Sequence, residues 1–344
     1  MNQIFNRQAR IQFNELGVVF VILATLMTSC KTSLYQDISD TVSTQALAVQ
    51  QGDYKSVSWL KDDLIAFIYR PDELRVNGLD NDFRLDILEV TSGNIETLPQ
   101  IPLPSGCFPR PSGIHELTKL PNGSLGLVFR CHSDNGISST LYLLDKNKND
   151  FIAWENYPKF LATSFSFDPD MTQFIQENGI GGTSNELYLV NSEKIITKLL
   201  PDFKRARSPA WSPDGKTIAF AGTKANSENT TLNTWNDIGS LLYYPWDIYL
   251  MDADGSNVRV LLPLVGNIYG LKWSPINGNS LLFGGTAFDD MEGIWLLDTA
   301  DGKIKRLWDE NTYFDWSADG SKIVVLTNNS GNWWEDVVII DLAK

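Results

Sequence analysis

The sequence is poor in the side chains on which most enzymes and metal sites depend. It has three cysteines and two histidines in 344 residues, and it lacks the Gly-x-Ser-x-Gly motif of many hydrolases. A hydroxyl nucleophile needs a base beside it, so a chain with two histidines is a weak candidate for a nucleophilic triad. We therefore expect no catalytic residues, no metal and no cofactor.

Basic residues are also scarce. The chain has 28 Lys and Arg against 42 Asp and Glu, which gives a formal charge of −14 at pH 7. The average surface would repel nucleic-acid phosphates, so a nucleic-acid partner is not expected. Apolar residues, in contrast, make up 43% of the chain, which is enough to build a large buried core.

Long apolar runs are absent except at the start, where Arg7 and Arg10 precede the run 16–27. This run is shorter than the roughly 20 residues that a membrane-spanning helix needs, and it is typical of a signal peptide. The four residues 27–30, Met-Thr-Ser-Cys, resemble the bacterial lipobox. The resemblance implies a signal peptide over 1–29, lipidation of Cys30, a tether over 30–41 and a location facing the periplasm or the cell exterior. A cleaved signal without lipid and an uncleaved anchor are the alternatives.

The two remaining cysteines, Cys107 and Cys131, lie near the two histidines, His115 and His132. Two thiolates and two imidazoles could bind zinc, but the spacing lacks a paired Cys-x-x-Cys. Export would place the thiols in an oxidising compartment, which favours a disulfide between Cys107 and Cys131. Free buried thiols and a metal site remain the alternatives.

A ten-residue motif recurs along the chain. Residues 211–220 read WSPDGKTIAF and recur as WSADGSKIVV at 316–325, with further copies at 273–283, 167–175, 59–67 and 120–129. An aromatic residue ends a short strand, Asp-Gly or Asn-Gly forms a tight turn, and an alternating β-rich run follows, so each copy predicts a β-hairpin. The aspartates beside the turn glycines are predicted to be turn formers.

A second hairpin follows each copy of the motif. It is clearest at 247–262 and 294–307, is present at 85–98 and is weaker at 141–154 and 187–199. Two hairpins per repeat make a four-stranded unit, which is typical of a propeller blade. We therefore predict an all-β propeller of six four-stranded blades, at 57–102, 113–158, 162–204, 206–263, 268–308 and 312–344. A two-sheet sandwich is the alternative.

The last repeat is one strand short. The run that would form its third strand is followed directly by Asp341 and Leu342. The stretch 42–50 is predicted to supply the outermost strand, so that residues from both ends of the domain share one blade. Residues 42–344 would then form a single domain.

The sequence of the repeats, WSPDGK-x-IAF followed by IYLMDADGSN, resembles the TolB-like or WD40-like (PD40) propeller repeat. TolB itself has an α/β domain before its propeller, and residues 31–56 are too few for one, so the resemblance is to a TolB-like propeller. It implies a protein-binding scaffold of the cell envelope with a protein or peptide partner. A carbohydrate- or small-ligand-binding propeller is one alternative. A propeller hydrolase with acidic residues in the central channel is another, with Glu116 and Asp315 as its candidate acids.

Long connections between the second and third strands of the last three blades carry aromatic and acidic residues. We predict that they form a binding rim that seats a cationic peptide by cation–π and charge contacts or stacks on sugars. The alternative is that the aromatic residues pack the loops onto the ring. The candidates are Trp235, Tyr243, Tyr244, Phe288, Asp289, Asp290, Trp333, Trp334 and Glu335. The repeat aromatics are predicted to be core residues instead: Trp59, Phe167, Trp211, Trp273 and Trp316.

Overall fold

The chain forms an all-β structure. The computed structural model describes residues 35–37, 43–47, 52–61, 63–71, 84–98, 114–133, 136–145, 150–154, 162–178, 186–225, 246–287, 291–310, 312–327 and 336–342. These residues contain 25 strands. No helix long and apolar enough to cross a membrane is found among them.

The strands form six separate sheets. Two short strands come first in the chain, β1 (Tyr35–Asp37) and β2 (Ser43–Leu47). Blade 1 has β3 (Gly52–Lys61), β4 (Leu64–Pro71), β5 (Arg84–Glu89) and β6 (Ile95–Thr97), and blade 2 has β7 (Ile114–Lys119), β8 (Leu125–Ser133), β9 (Gly136–Asp145) and β10 (Asp150–Ala153). Blade 3 has β11 (Ala162–Phe167), β12 (Gln173–Asn178), β13 (Glu186–Asn191) and β14 (Ile196–Lys198).

The second half continues the pattern. Blade 4 has β15 (Phe203–Trp211), β16 (Thr217–Lys224), β17 (Trp246–Asp252) and β18 (Arg259–Val265). Blade 5 has β19 (Ile268–Trp273), β20 (Ser280–Ala287), β21 (Met291–Asp298) and β22 (Ile304–Trp308), and blade 6 has β23 (Phe314–Trp316), β24 (Lys322–Thr327), β25 (Asp336–Asp341) and β2. The predicted six-bladed propeller is confirmed, and the six sheets correspond to the six predicted repeats.

The hydrogen bonds and backbone conformation of the turn explain why the repeated motif folds into a hairpin. Asp214 accepts hydrogen bonds from Ser212 Oγ (2.7 Å) and Lys216 N (3.1 Å), and Gly215 has a φ of 72° that a side chain would strain. Asp319 repeats this arrangement with Ser317 Oγ at 2.6 Å and Ser321 N at 3.1 Å. These hydrogen bonds lower the pKa of both aspartates. The prediction that they are turn formers is confirmed.

The blades have two distinct ends. The first turn of a blade contacts its second turn, as when Ala253 N donates to Lys216 O (3.0 Å) and Thr299 N donates to Asn279 O (2.9 Å). We call this end the hairpin-turn face. The second strands end, and the third strands begin, at the opposite end of each blade, which we call the long-loop face.

The ring closes between residues from the two ends of the domain. β2 pairs antiparallel with β25, with Ser43 opposite Asp341 and Leu47 opposite Val337. The predicted donor stretch, 42–50, therefore does supply the outermost strand of blade 6. First strands of neighbouring blades pack against one another, as β3 does with β7 and β23 and as β15 does with β11 and β19. The first strands thus surround the central axis.

β1 adds a fifth strand that the repeat pattern did not predict. It pairs parallel with β22, with Tyr35 opposite Ile304 and Asp37 opposite Arg306. Part of the segment predicted as a tether therefore lies along the outer edge of blade 5.

The repeat aromatics are buried between blades, as predicted. All five are at most 8% exposed, and two of them also connect neighbouring blades. Trp273 Nε1 donates to Ala210 O (2.9 Å) and Trp316 Nε1 donates to Lys272 O (3.0 Å). Each indole thereby joins its own blade to the preceding one.

Candidate functional site

A cavity of about 480 Å³ lies on the propeller axis. Its wall consists of residues from the first strands and first turns of blades 2 to 6. It is hollow because several positions on these strands have small side chains or none, among them Ser166, Ser208, Ala210 and Gly270. Turn prolines of four successive blades line its end at the hairpin-turn face: Pro121, Pro169, Pro213 and Pro275.

Aromatic side chains form much of the apolar part of this wall. Phe165, Phe167, Trp211 and Trp316 line the cavity from blades 3, 4 and 6. Tyr269 at the start of blade 5 also lines it and is 52% exposed. Aromatic walls suit apolar or planar groups of a ligand.

The main charged pair of the wall is Lys272 with Asp315. Asp315 Oδ1 accepts a hydrogen bond from Lys272 Nζ at 3.2 Å. Asp315 Oδ2 accepts from Ser58 Oγ (2.8 Å) and from Trp59 N (2.9 Å). The carboxylate therefore joins blades 5, 6 and 1, and both of its oxygens are used in this connection.

A second buried carboxylate joins blades 3 and 4. Glu177 Oε2 accepts hydrogen bonds from Ser164 Oγ (2.8 Å) and Ser208 N (3.1 Å). Ser208 has a φ of 52°, and the pairing of β15 with β16 is irregular from Arg207 to Ala210. The left-handed backbone at Ser208 accompanies this irregularity at the point where the amide donates to Glu177.

Arg207 lies in the seam between blades 4 and 5. Its guanidinium carbon is 4.3 Å from the centre of the Trp246 ring and 5.9 Å from that of Tyr269. Its Nε and Nη2 are enclosed and make no hydrogen bond in the part of the chain that the structure describes. Burial lowers the pKa of Arg207, and the charge of Glu177 opposes this effect. Since the two nitrogens are enclosed, Arg207 stabilises the seam by stacking on Trp246 and offers a ligand little access.

The predicted rim and lipidation site lie outside the described residues. This applies to Trp235, Tyr243, Tyr244, Phe288, Asp289, Asp290, Trp333, Trp334 and Glu335, and to Cys30 and Cys107. The backbone of Cys131 lies in β8 opposite Ser138, and that of Glu116 lies in β7 opposite Val128. The disulfide and the rim therefore stay predictions.

Sequence reasoning missed Lys272 and Tyr269. A signal was nevertheless present, because the residue before each repeat aromatic is Ser58, Ser166, Ala210, Lys272 or Asp315. The three small residues of this set contrast with the two charged ones of blades 5 and 6. An alignment of the repeats on their aromatic residues would have paired Lys272 with Asp315 as neighbours on the axis.

The described wall of the cavity has one carboxylate, that of Asp315. Glycoside hydrolysis by paired acids needs two, roughly 5 to 10 Å apart. No group of three or more potential metal ligands occurs among the residues that the structure describes. The site is thus a preformed aromatic cavity with a charged pair in its wall.

Comparisons by sequence identify no relative: no family model matches the chain, and no curated protein matches it. Solved structures do match. TolB from Acinetobacter baumannii superposes with a TM-score of 0.56 at 14% identity, covering 81% of this chain and 64% of TolB. A putative TolB from Agrobacterium tumefaciens superposes with a TM-score of 0.50 at 16% identity, covering 72% of this chain and 78% of that protein.

An enzyme is similar to the same degree. The gluconolactonase XC5397 from Xanthomonas campestris has a TM-score of 0.52 at 11% identity, covering 88% of this chain and 90% of the enzyme. At such identities the likeness shows the fold alone. The chain is a six-bladed β-propeller whose fold is shared by TolB proteins and by a propeller enzyme.

Proposed function

We propose that this chain is an exported, membrane-anchored scaffold that binds a protein partner in the cell envelope and catalyses no reaction. The observation that carries the proposal is the hydrogen bonding of the acidic side chains near the axis. Asp315 and Glu177 both accept hydrogen bonds from the next blade. Acids held in this way stabilise the ring, and the cavity is left with shape and aromatic surface for recognition.

The likeness to TolB proteins supports the proposal. Because the gluconolactonase has the same fold, the fold alone does not distinguish a scaffold from an enzyme, and the distinction depends on the residues of this chain. We predict that the rim lies on the long-loop face, on the connections of blades 4, 5 and 6. Lipidation of Cys30 and a disulfide between Cys107 and Cys131 belong to the same proposal, because both accompany export.

The cavity part of the proposal can be tested by filling the cavity. Gly270 lines it, and a Cβ at this position would meet nothing closer than Phe314 Cζ at 3.8 Å. We expect Gly270→Leu to fold normally and to reduce capture of a partner from solubilised envelope extract. The matched control is Gly278→Leu, because Gly278 is exposed in the first turn of the same blade and a Cβ added there would have no neighbouring atom within 4 Å.

The rim part is tested by the double change Trp333→Ala and Trp334→Ala in the same capture assay. A specific partner that this variant loses and the Gly278→Leu control retains would support the rim. If every specific capture is unchanged in the double variant, the rim prediction is wrong. If Gly270→Leu also captures normally, the cavity takes no part in binding a partner.

Binding of a small ligand is the second candidate function. A volume of about 480 Å³ is within the usual range for small-ligand pockets, and the half-exposed Tyr269 could stack on a sugar or another flat ligand. Thermal-shift measurements with sugars would test it. A sugar that raises the melting temperature of the parent protein but not that of Gly270→Leu would favour this candidate.

A further inference from the structure

The strand β1 is fixed to one corner of the propeller. β1 lies on the outer edge of blade 5, parallel to β22, and Tyr35 is opposite the first residue of that strand, Ile304. β22 begins directly after the second turn of blade 5, in which Gly302 N donates to Asp298 O (2.9 Å). Tyr35 therefore lies at the hairpin-turn face.

The chain between this corner and the proposed lipid anchor is short. Five peptide units separate Cys30 from Tyr35, and a fully extended chain spans at most about 3.6 Å per residue, or roughly 18 Å in total. A lipidated Cys30 would lie at the level of the lipid headgroups. Tyr35 could then be no farther than this from the membrane surface.

The height of a blade makes that limit informative. Tyr35 is opposite Ile304, which pairs with Leu297, and the six residue steps of β21 from Met291 to Leu297 span about 20 Å at roughly 3.3 Å per residue. If the long-loop face lay on the membrane, Tyr35 would be about this far from it. The tether is too short for that arrangement.

We infer that the lipid anchor holds the propeller with the hairpin-turn corner of blade 5 against the phospholipid surface, so that the long-loop face points away from the membrane. The inference rests on the lipidation in the proposed function. It identifies the partner of this corner as a lipid headgroup surface. It also directs the predicted rim toward molecules that are not embedded in the same membrane.

The test uses the lipidated full chain in vesicles of phosphatidylethanolamine and phosphatidylglycerol that contain a nitroxide-headgroup lipid. A fluorescent label is attached at Asp301→Cys, in the exposed second turn of blade 5. The matched control label is at Glu292→Cys, which is exposed at the start of β21, at the other end of the same blade. The parent protein without an added cysteine gives the background labelling.

We expect quenching at position 301 to be severalfold stronger than at position 292. Equal quenching, or stronger quenching at 292, would overturn the orientation. A Gly-Ser insert of about 20 residues after Lys31, with a root-mean-square length of roughly 25 Å, should remove the difference because it frees the ring to turn. If the difference persists with the insert, the short tether is not what orients the ring.

Acyl labelling separates this inference from the proposal beneath it. Incorporation of radioactive palmitate that is lost in Cys30→Ser would establish the anchor. Equal quenching with the acyl group present then contradicts the orientation alone, whereas absence of the acyl group contradicts both. Loss of partner capture is measured independently and affects only the proposed function.

Discussion

The two sides of blade 1 are built differently. The closure seam, where blade 1 meets blade 6, has an aromatic core of Tyr54, Trp59, Phe67 and Tyr69. The seam with blade 2 is chiefly aliphatic, with residues such as Leu60, Ile68, Leu85, Leu117 and Leu127. Large rigid rings thus concentrate where residues from the two ends of the domain must meet, and branched aliphatic residues suffice where consecutive blades pack.

The polar contacts of the two seams differ in the same way. In the closure seam, the carboxylate of Asp315 accepts from Ser58 Oγ and Trp59 N. In the seam with blade 2, the neutral Ser56 Oγ accepts from Leu117 N at 3.0 Å. Hydrogen bonds to a charged group are the stronger kind. The closure seam therefore combines larger apolar surfaces with stronger polar links.

The largest expected effect comes from the aromatic core. Trp59→Ala should lower the free energy of unfolding by about 3 to 5 kcal/mol, because it leaves a cavity in the closure seam. Leu60→Ala changes the next residue, which faces blade 2, and should cost less, about 2 to 4 kcal/mol. Urea denaturation measures both. A larger loss for Leu60→Ala would break the comparison.

The polar links should give an intermediate effect. Asp315→Asn weakens hydrogen bonds to a charged acceptor and should cost roughly 1.5 to 3 kcal/mol, whereas Ser56→Ala should cost about 1 kcal/mol. The same denaturation assay compares them, and Lys272→Met reports how much of the loss at Asp315 comes from the ion pair. If Ser56→Ala is as costly as Asp315→Asn, the charge adds nothing to the closure seam.

The smallest effect concerns pH. Asp86 is fully buried and lies opposite Phe67, and burial raises its pKa above the ordinary 3.8, although Thr97, Tyr69 and Arg84 oppose the rise. Folding then takes up a proton, so Asp86 costs stability as the pH rises from its unfolded-state pKa through its folded-state pKa. We expect Asp86→Asn to stabilise the protein near neutral pH and to lose this advantage in acid.

Asp214→Asn is the control for the direction in which stability changes with pH. Hydrogen bonds lower the pKa of Asp214, so its carboxylate stabilises the folded state above the unfolded-state pKa, and this contribution is lost as the pH falls. Its replacement should therefore be slightly harmful at neutral pH and neutral in acid. Melting temperatures of both variants across pH measure the two slopes, and parallel slopes would contradict the assignment at Asp86.

Much of the fold could be predicted from local sequence. The Asp-Gly turns between β-rich runs specify hairpins because Asp214 and Gly215 meet the hydrogen-bonding and φ requirements of the turn within a few residues. Their regular recurrence predicts blades, and the missing strand of blade 6 predicts a donor, which is β2. The cavity wall could be predicted only in part, because Asp315 was a candidate and its partner Lys272 was not.

The sequence by itself determined the turns, the strand periodicity and the number of blades, because each depends on neighbours a few residues apart. Only the tertiary structure decided which side chains of different blades meet. Ser58 and Asp315 are 257 residues apart and are joined by one hydrogen bond. It likewise decided that β1 lies along blade 5, since no local pattern specifies a parallel partner more than 260 residues away. The contact between Ser58 and Asp315 depends on the closure of the ring, which brings the first strands of blades 1 and 6 together near the axis.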